Sequence, residues 1–176
     1  ESKIVILANG ANSYLSRKYN FLNFSPEHCV IALEERFDNV KNLDDHMELY
    51  YAKEILPFYF WIFPEGKNRA NVGFAILGNQ INKKNLVSLF YRLIKNNRVI
   101  SEKINSASSL GKIKSWPIRF KTKHSKTFDN GILAAGDAAG FANPLTGEGI
   151  YYALESGKLV ALTALDGLKR KDYSKL

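Results

Sequence analysis

Asp137 stands after Gly136 and before Ala138-Ala139-Gly140, and the chain continues as Phe141-Ala142-Asn143-Pro144-Leu145-Thr146-Gly147-Glu148-Gly149-Ile150. A short apolar run, Ile132 to Ala135, follows Gly131 and leads into this segment. Unalternating apolar runs of that length form strands buried on both faces of a parallel sheet. The spacing therefore places Asp137 at the carboxyl end of a strand, where open α/β sheets bind ligands. A carboxylate there accepts hydrogen bonds from ligand hydroxyls, while Gly147 and Gly149 let a flat ring approach the backbone. The segment is thus shaped to hold a phosphorylated or aromatic cofactor.

The elements that must position these groups are legible around them. A helix is expected from about Glu148 to Leu168, capped by Thr146 or Gly147, with Ile150, Tyr151, Leu154, Gly157, Leu159, Ala161, Leu165 and Leu168 as its apolar face. Its positive amino-terminal end would face the ligand. A second strand, Lys3 to Ala8, reads as buried and leads into Asn9-Gly10-Ala11-Asn12-Ser13, a tight turn in which Gly10 and Ser13 are candidate ligand contacts. Between these segments Tyr59, Trp61 and Phe63 alternate along a strand that Pro64 ends, and Asn71 to Leu77 returns as its neighbour. Three aromatic rings on one face form either the wall of a ligand cavity or sheet core. Further strands are expected over Cys29 to Phe37, Met47 to Lys53, Phe58 to Phe63 and Arg69 to Leu77. A helix near Lys83 to Asn96 carries Leu86, Phe90, Leu93 and Ile94 at helical spacing. The expected fold is mixed, α/β with α+β character. Residues 1–22 and 110–176 carry the cofactor motifs, and residues 23–109 form an inserted antiparallel sheet with one covering helix.

The motif from Asn143 to Ala153, followed by Glu155-Ser156-Gly157, resembles the geranylgeranyl reductase family, flavoproteins of the p-hydroxybenzoate hydroxylase type. Tyr59-Phe60-Trp61-Ile62-Phe63-Pro64 with Gly73 is similar to that family's aromatic substrate motif, although Ala75 replaces its last glycine. Asn9-Gly10 resembles the Asp-Gly turn of these proteins, with Asn9 in place of the acid. The resemblance implies a Rossmann-like FAD-binding domain interleaved with an antiparallel substrate domain. It assigns FAD to Gly10, Ser13, Gly136, Asp137, Pro144, Thr146, Gly147, Glu148, Gly149 and Ile150, with Asp137 on the ribityl chain. It assigns an apolar substrate to Tyr59, Trp61, Phe63, Pro64 and Gly73. The implied activity is reduction of C=C bonds of a polyprenyl (geranylgeranyl) group in isoprenoid metabolism of a lipid or of a quinone or chlorophyll type, with NAD(P)H or another reductant as electron donor. The proton donor is not identified, Tyr59 being a candidate for its hydroxyl alone. A flavin monooxygenase or halogenase on the same scaffold is the alternative, and a non-catalytic lipid-binding relic is an alternative of another class. No strand is followed by Gly-x-Gly-x-x-Gly, the usual pyrophosphate cradle. The chain is accordingly expected to be the middle and later part of a longer flavoprotein and not to act unaided.

Composition bounds these readings. With 45% hydrophobic residues in 176, the chain can bury a core, and disorder is not indicated. Its one cysteine, Cys29, excludes an intramolecular disulfide and suits a reducing compartment. No apolar run approaches the ~18 residues of a membrane span, and no secretory signal opens the sequence. The expected location is cytoplasmic, with peripheral membrane contact as an option. Asp44-Asp45-His46 reads as a solvated turn, so no metal is expected. The net charge is +8. Lys112, Lys114, Arg119, Lys121, Lys123, His124 and Lys126 cluster around Trp116 and Phe120, which reads as a solvated surface or as a patch for anionic headgroups. Nucleic acid is not expected as a partner.

Overall fold

The computed structural model describes residues 2–22, 25–81 and 85–174. In chain order its elements are β1 (Val5–Leu7), α1 (Tyr14–Lys18), β2 (Cys29–Asp38), β3 (Glu48–Tyr50), β4 (Phe60–Pro64), β5 (Ala70–Leu77), α2 (Leu86–Asn96), α3 (Arg98–Ile104), β6 (Ser108–Ser109), β7 (Lys114–Arg119), β8 (Phe128–Asp129), β9 (Ile132–Ala134) and α4 (Ile150–Arg170). The fold is mixed α/β, and the chain divides into two compact units, Glu1–Cys29 with Pro117–Leu176, and Val30–Trp116.

In the first unit β1 pairs with β9 in parallel, Val5 opposite Ile132 and Leu7 opposite Ala134, and β8 adds to β9 antiparallel. The two apolar runs thus become adjacent strands. Leu7, Ala134, Ala138 and Ala139 pack with Phe21, while Leu133 and Ala135 pack with Val160 and Ala164 of α4. Burial differs from the sequence reading in two places. Val5 and Ile6 are exposed although β1 was expected to be buried: Val160 and Ala164 of α4 pack on Leu133 and Ala135, at β9, and not on these two side chains. On α4 the buried positions are Ser156, Val160, Ala164 and Gly167, whereas Ile150, Tyr151, Leu154, Leu159, Leu165 and Leu168 are exposed. The helix turns its small side chains to β9, as a close approach demands: a Cβ on Gly136 would lie 3.3 Å from Ala153 Cβ.

In the second unit β3, β4, β5, β2 and β6 lie side by side in that order, antiparallel throughout. Period-two alternation sorts their side chains. Leu33, Phe37, Phe60, Ile62, Val72, Phe74 and Ile76 face the core with Leu89, Phe90, Leu93 and Ile94 of α2 and Ile100 and Ile104 of α3. Phe90 is the centre of that core, stacked on Phe37, Phe60 and Phe74 at ring-centroid distances of 6.5, 5.9 and 6.4 Å. Truncation of such a ring costs about 3 to 5 kcal/mol.

Two helices cover the sheet where one was expected. Asn97 ends α2 and caps α3, its Oδ1 accepting from Val99 N and Ile100 N at 3.0 and 3.2 Å. The expected start of the first helix at Lys83 lies outside the described residues. That helix begins at Leu86, with Asn85 Oδ1 accepting from Ser88 N. Glu35 also faces this side, buried, and accepts from Tyr91 of α2 and Ser109 of β6 at 3.1 and 2.5 Å. Those bonds satisfy a carboxylate that would otherwise be costly to bury.

Candidate functional site

The turn after β9 is built by backbone bonds that leave its concave side open. Gly136 N donates to Ser156 Oγ of α4 at 2.9 Å, and Ser156 Oγ donates in turn to Tyr152 O at 2.6 Å. Phe141 N and Gly140 N return to Gly136 O and Asp137 O. The loop beyond is organised by Asn143. Its Oδ1 accepts from Leu145 N and Thr146 N at 2.9 and 3.3 Å, and its Nδ2 donates to Tyr152 Oη at 3.1 Å. Asn143 N and Gly147 N complete a closed backbone turn with Glu148 O and Asn143 O.

Together these bonds shape a cleft of about 550 Å³ lined by Ala8, Gly10, Asp137, Gly147, Gly149 and Ile150 among others, within the usual range of small-molecule sites. Asp137 is half-buried there, and burial pushes its carboxyl above the ordinary aspartate range. No protein group among the described residues donates a hydrogen bond to it. Gly149 lies close beneath it: a Cβ there would lie 3.3 Å from Asp137 Oδ1, a tight contact that a shift of a few tenths of an ångström in the carboxylate would relieve. The site is therefore a glycine-lined cleft in which Asp137 is the one acid among the described lining residues.

Of the residues expected at this site, Gly10, Gly136, Asp137, Gly147, Gly149 and Ile150 line the cleft, and Ser13, Pro144, Thr146 and Glu148 do not. Ser13 is buried and caps α1, its Oγ accepting from Ser16 N at 3.0 Å. Pro144 is exposed. Thr146 Oγ1 accepts from Glu148 N at 3.2 Å. Neither Thr146 nor Gly147 caps α4: Gly149 occupies the cap position, and the Glu148 carboxylate accepts from Tyr151 N at 2.7 Å. A charge at that position offsets the positive end of the helix.

The aromatic motif lies in the second unit, on the sheet face opposite α2 and α3. Tyr59, Trp61 and Phe63 form a continuous row, Trp61 edge-on to Tyr59 at 6.3 Å and stacked on Phe63 at 5.8 Å. Tyr51 extends the row, edge-on to Tyr59 at 6.3 Å. Gly73 lies opposite Trp61 in register. A Cβ on Gly73 would fall 2.4 Å from Trp61 Cζ2 and 2.5 Å from Leu33 O, so the indole rests directly on the Gly73 backbone. Pro64 closes β4 opposite Ala70. Burial, with Tyr51 close by, raises the Tyr59 hydroxyl above its ordinary value and keeps it protonated. Ala75, where the motif has a second glycine, donates its N–H to Tyr59 O at 3.1 Å, so its methyl leaves this strand pairing intact.

Sequence reasoning missed two polar groups on this face. Trp61 Nε1 donates to Asn71 Oδ1 at 2.7 Å, and Asn71 Nδ2 donates to Glu34 Oε2 at 2.9 Å. The only signal available was the presence of Glu34 within an otherwise largely apolar β2.

Other sequence features lie apart from these constellations. Arg119 donates from Nε to Ala11 O at 3.0 Å, Lys121 lies over the Phe141 ring at 5.4 Å, and Lys126 pairs with Asp129 at 3.0 Å. Lys112, Lys114 and the exposed Trp116 fall in the other unit. Asp44, Asp45 and His46 form an exposed cluster, and His46 pairs with both acids. Among the described residues no helix is long and apolar enough to cross a membrane.

Residues 28–111 match the geranylgeranyl reductase catalytic domain. The chain is 34% identical to the digeranylgeranylglycerophospholipid reductase of Methanocaldococcus jannaschii, an alignment that covers 99% of this chain and 44% of that protein. It superposes with a TM-score of 0.89 on a geranylgeranyl bacteriochlorophyll reductase-like protein of Thermoplasma acidophilum, at 26% identity over 99% of this chain and 44% of the other. A flavin-dependent brominase shares the fold at TM-score 0.80 and 19% identity, over 99% and 46% of the two chains. The resemblance to the geranylgeranyl reductase family is thereby borne out. The chain spans less than half the length of these relatives.

Proposed function

We propose that this chain supplies the ribityl- and ring-facing part of an FAD site, together with a substrate face, in an oxidoreductase that saturates C=C bonds of a polyprenyl lipid. The observation that carries the cofactor assignment is Asp137: a half-buried carboxylate that no donor among the described residues satisfies, at a strand end, in a cleft lined by glycines. Burying a charge is unfavourable unless it is hydrogen-bonded, and the hydroxyls of a ribityl chain are donors of the right kind. Gly10, Gly136, Gly147 and Gly149 would give the ligand access to backbone. Ser13, Thr146 and Glu148 would act behind them, by fixing the turns through the bonds described above.

When bound, FAD supplies hydride chemistry. The chain's own residues would hold and orient the reactants. Tyr59, Trp61 and Phe63 present an aromatic row suited to an apolar chain, with Pro64 and Gly73 setting its edge and floor. An isolated alkene is a weak electrophile, so alignment and exclusion of water must supply much of the rate. Tyr59 offers a hydroxyl on that row, and burial, by raising it above its ordinary value, makes it a weaker acid than a free tyrosine, away from the near-neutral value suited to a general acid. The reductant is taken to be NAD(P)H or another two-electron donor. Peripheral contact with anionic headgroups at the basic residues would bring a membrane-borne substrate within reach.

The reading is tested by anaerobic stopped-flow absorbance on the chain extended to the length of its relatives. Addition of a geranylgeranyl lipid to the reduced flavoprotein should reoxidise the flavin in proportion to the lipid added. Reoxidation that requires oxygen, at a rate increased by a substrate that becomes hydroxylated or halogenated, would establish the monooxygenase or halogenase alternative in its place.

A further inference from the structure

The hydrogen-bond chain from Trp61 through Asn71 to Glu34 has a polarity that fixes one ring. The indole N–H is a donor only, and the Glu34 carboxylate is an acceptor only. Asn71 between them must turn its oxygen to Trp61 and its amide nitrogen to Glu34, as it does at 2.7 and 2.9 Å. All three residues lie on one face of three adjacent strands, since Glu34 and Trp61 are both in register with Gly73, and Asn71 is two residues from Gly73 on β5. Below the indole, Gly73 leaves no space for a side chain. Beside it, Tyr59 and Phe63 hold the two flanks. The ring is thus fixed from beneath, from both sides and at its polar edge. The sheet core, on the opposite face, uses neither Asn71 nor Glu34.

We infer that Asn71, held in its one productive orientation by Glu34, is a positioning residue that fixes the Trp61 indole and through it the placement of the prenyl chain on the aromatic row. This rests on the proposed function for the identity of the substrate. The hydrogen-bond chain itself does not.

The test reverses the polarity of one link in the extended, FAD-loaded protein. Asn71→Asp sets two carboxylates against each other, and their repulsion drives the introduced carboxylate away from Glu34 and off the indole N–H. Adding Glu34→Gln supplies a donor in place of the carboxylate, restoring both hydrogen bonds at unchanged net charge. The Trp61 indole N–H resonance, assigned by its loss in Trp61→Phe, reports the first bond, and KM and kcat for a geranylgeranyl lipid report placement. Asn71→Asp should move the resonance upfield and raise KM about tenfold, the equivalent of one lost hydrogen bond of ~1.4 kcal/mol, with kcat changed less and FAD content retained. The double variant should recover both readings. A folded Asn71→Asp protein with wild-type KM, or a double variant that regains the resonance without regaining KM, overturns the inference. If Asn71→Asp melts below the assay temperature, Trp61→Phe, which keeps a ring and deletes the donor, reads the same KM. Failure of the wild-type protein to reduce any prenyl lipid sinks the functional reading instead. Titration of the Trp61 resonance with that lipid, in wild type and both variants, then decides the positioning role alone: equal affinities in all three overturn it.

Discussion

Replacing Asp137 with alanine should separate cofactor binding from folding. The carboxylate receives no hydrogen bond from the described residues, and its carboxyl is raised above the ordinary value near 3.8 by burial alone. Removing it therefore deletes no protein contact of consequence and relieves an unfavourable burial, so the ligand-free variant should be at least as stable as wild type at neutral pH. A group whose folded-state pKa is raised binds its proton more tightly when folded. Its contribution is fully present below the ordinary aspartate value and is lost as pH rises through the raised one. Wild-type stability should thus show a downward step across that window, and the variant should lack it. Ligand hydroxyls reverse the balance by favouring the charged form, so FAD affinity should increase as pH rises through the same window. Loss of one charge-assisted bond should weaken FAD by about 1.5 to 3 kcal/mol, or roughly 10- to 150-fold. Urea unfolding of the ligand-free proteins from pH 3 to 8 and flavin fluorescence titration of the extended proteins measure the two halves. Unchanged FAD affinity in a folded variant, or a large stability loss without FAD, would refute the reasoning.

Three further outcomes follow from the same geometry. Gly73→Ala should cost about 1 to 3 kcal/mol or more by overpacking, and adding Trp61→Leu should recover only part of it, because the Leu33 carbonyl at 2.5 Å is backbone; full recovery by urea midpoint would contradict this. Glu148→Ala should lower stability by about 0.5 to 2 kcal/mol through loss of the α4 cap, Glu148→Gln by less, and equal thermal melts of all three proteins would count against the cap. Trp61→Ala should impair alkene reduction with FAD retained, and, because Trp61 is itself buried at 9% exposure, should also cost about 3 to 5 kcal/mol; activity that falls only in step with unfolding, measured beside thermal melts, would return Trp61 to a purely structural role.

How much of this was legible in the chain depended on the range of the forces involved. β1 and β9 follow from apolar runs, and β2, β4 and β5 from apolar, aromatic-rich stretches bounded by turn residues, because each pattern is written within a few residues. The Tyr59-Trp61-Phe63 face was legible for the same reason. The register of α4 was misread because its leucines carry the strongest hydrophobic signal, whereas contact with β9 selects for small size: Ser156, Val160, Ala164 and Gly167. α3 escaped notice because seven residues with Ile100 and Ile104 buried give barely one helical repeat. The Glu148 cap was hidden because its carboxylate reaches forward from outside the helix to Tyr151 N. The Trp61-Asn71-Glu34 chain joins residues far apart in sequence, so only sheet register brings them together.

The most direct measurement is the mass of the lipid product after anaerobic turnover of the chemically reduced, full-length flavoprotein with a geranylgeranyl lipid. Reduction of alkenes predicts products heavier by two hydrogens for every bond saturated, with no oxygen or halogen incorporated. Recovery of unaltered lipid under those conditions, with oxygen consumed in step with an oxygenated product once air is admitted, would contradict it.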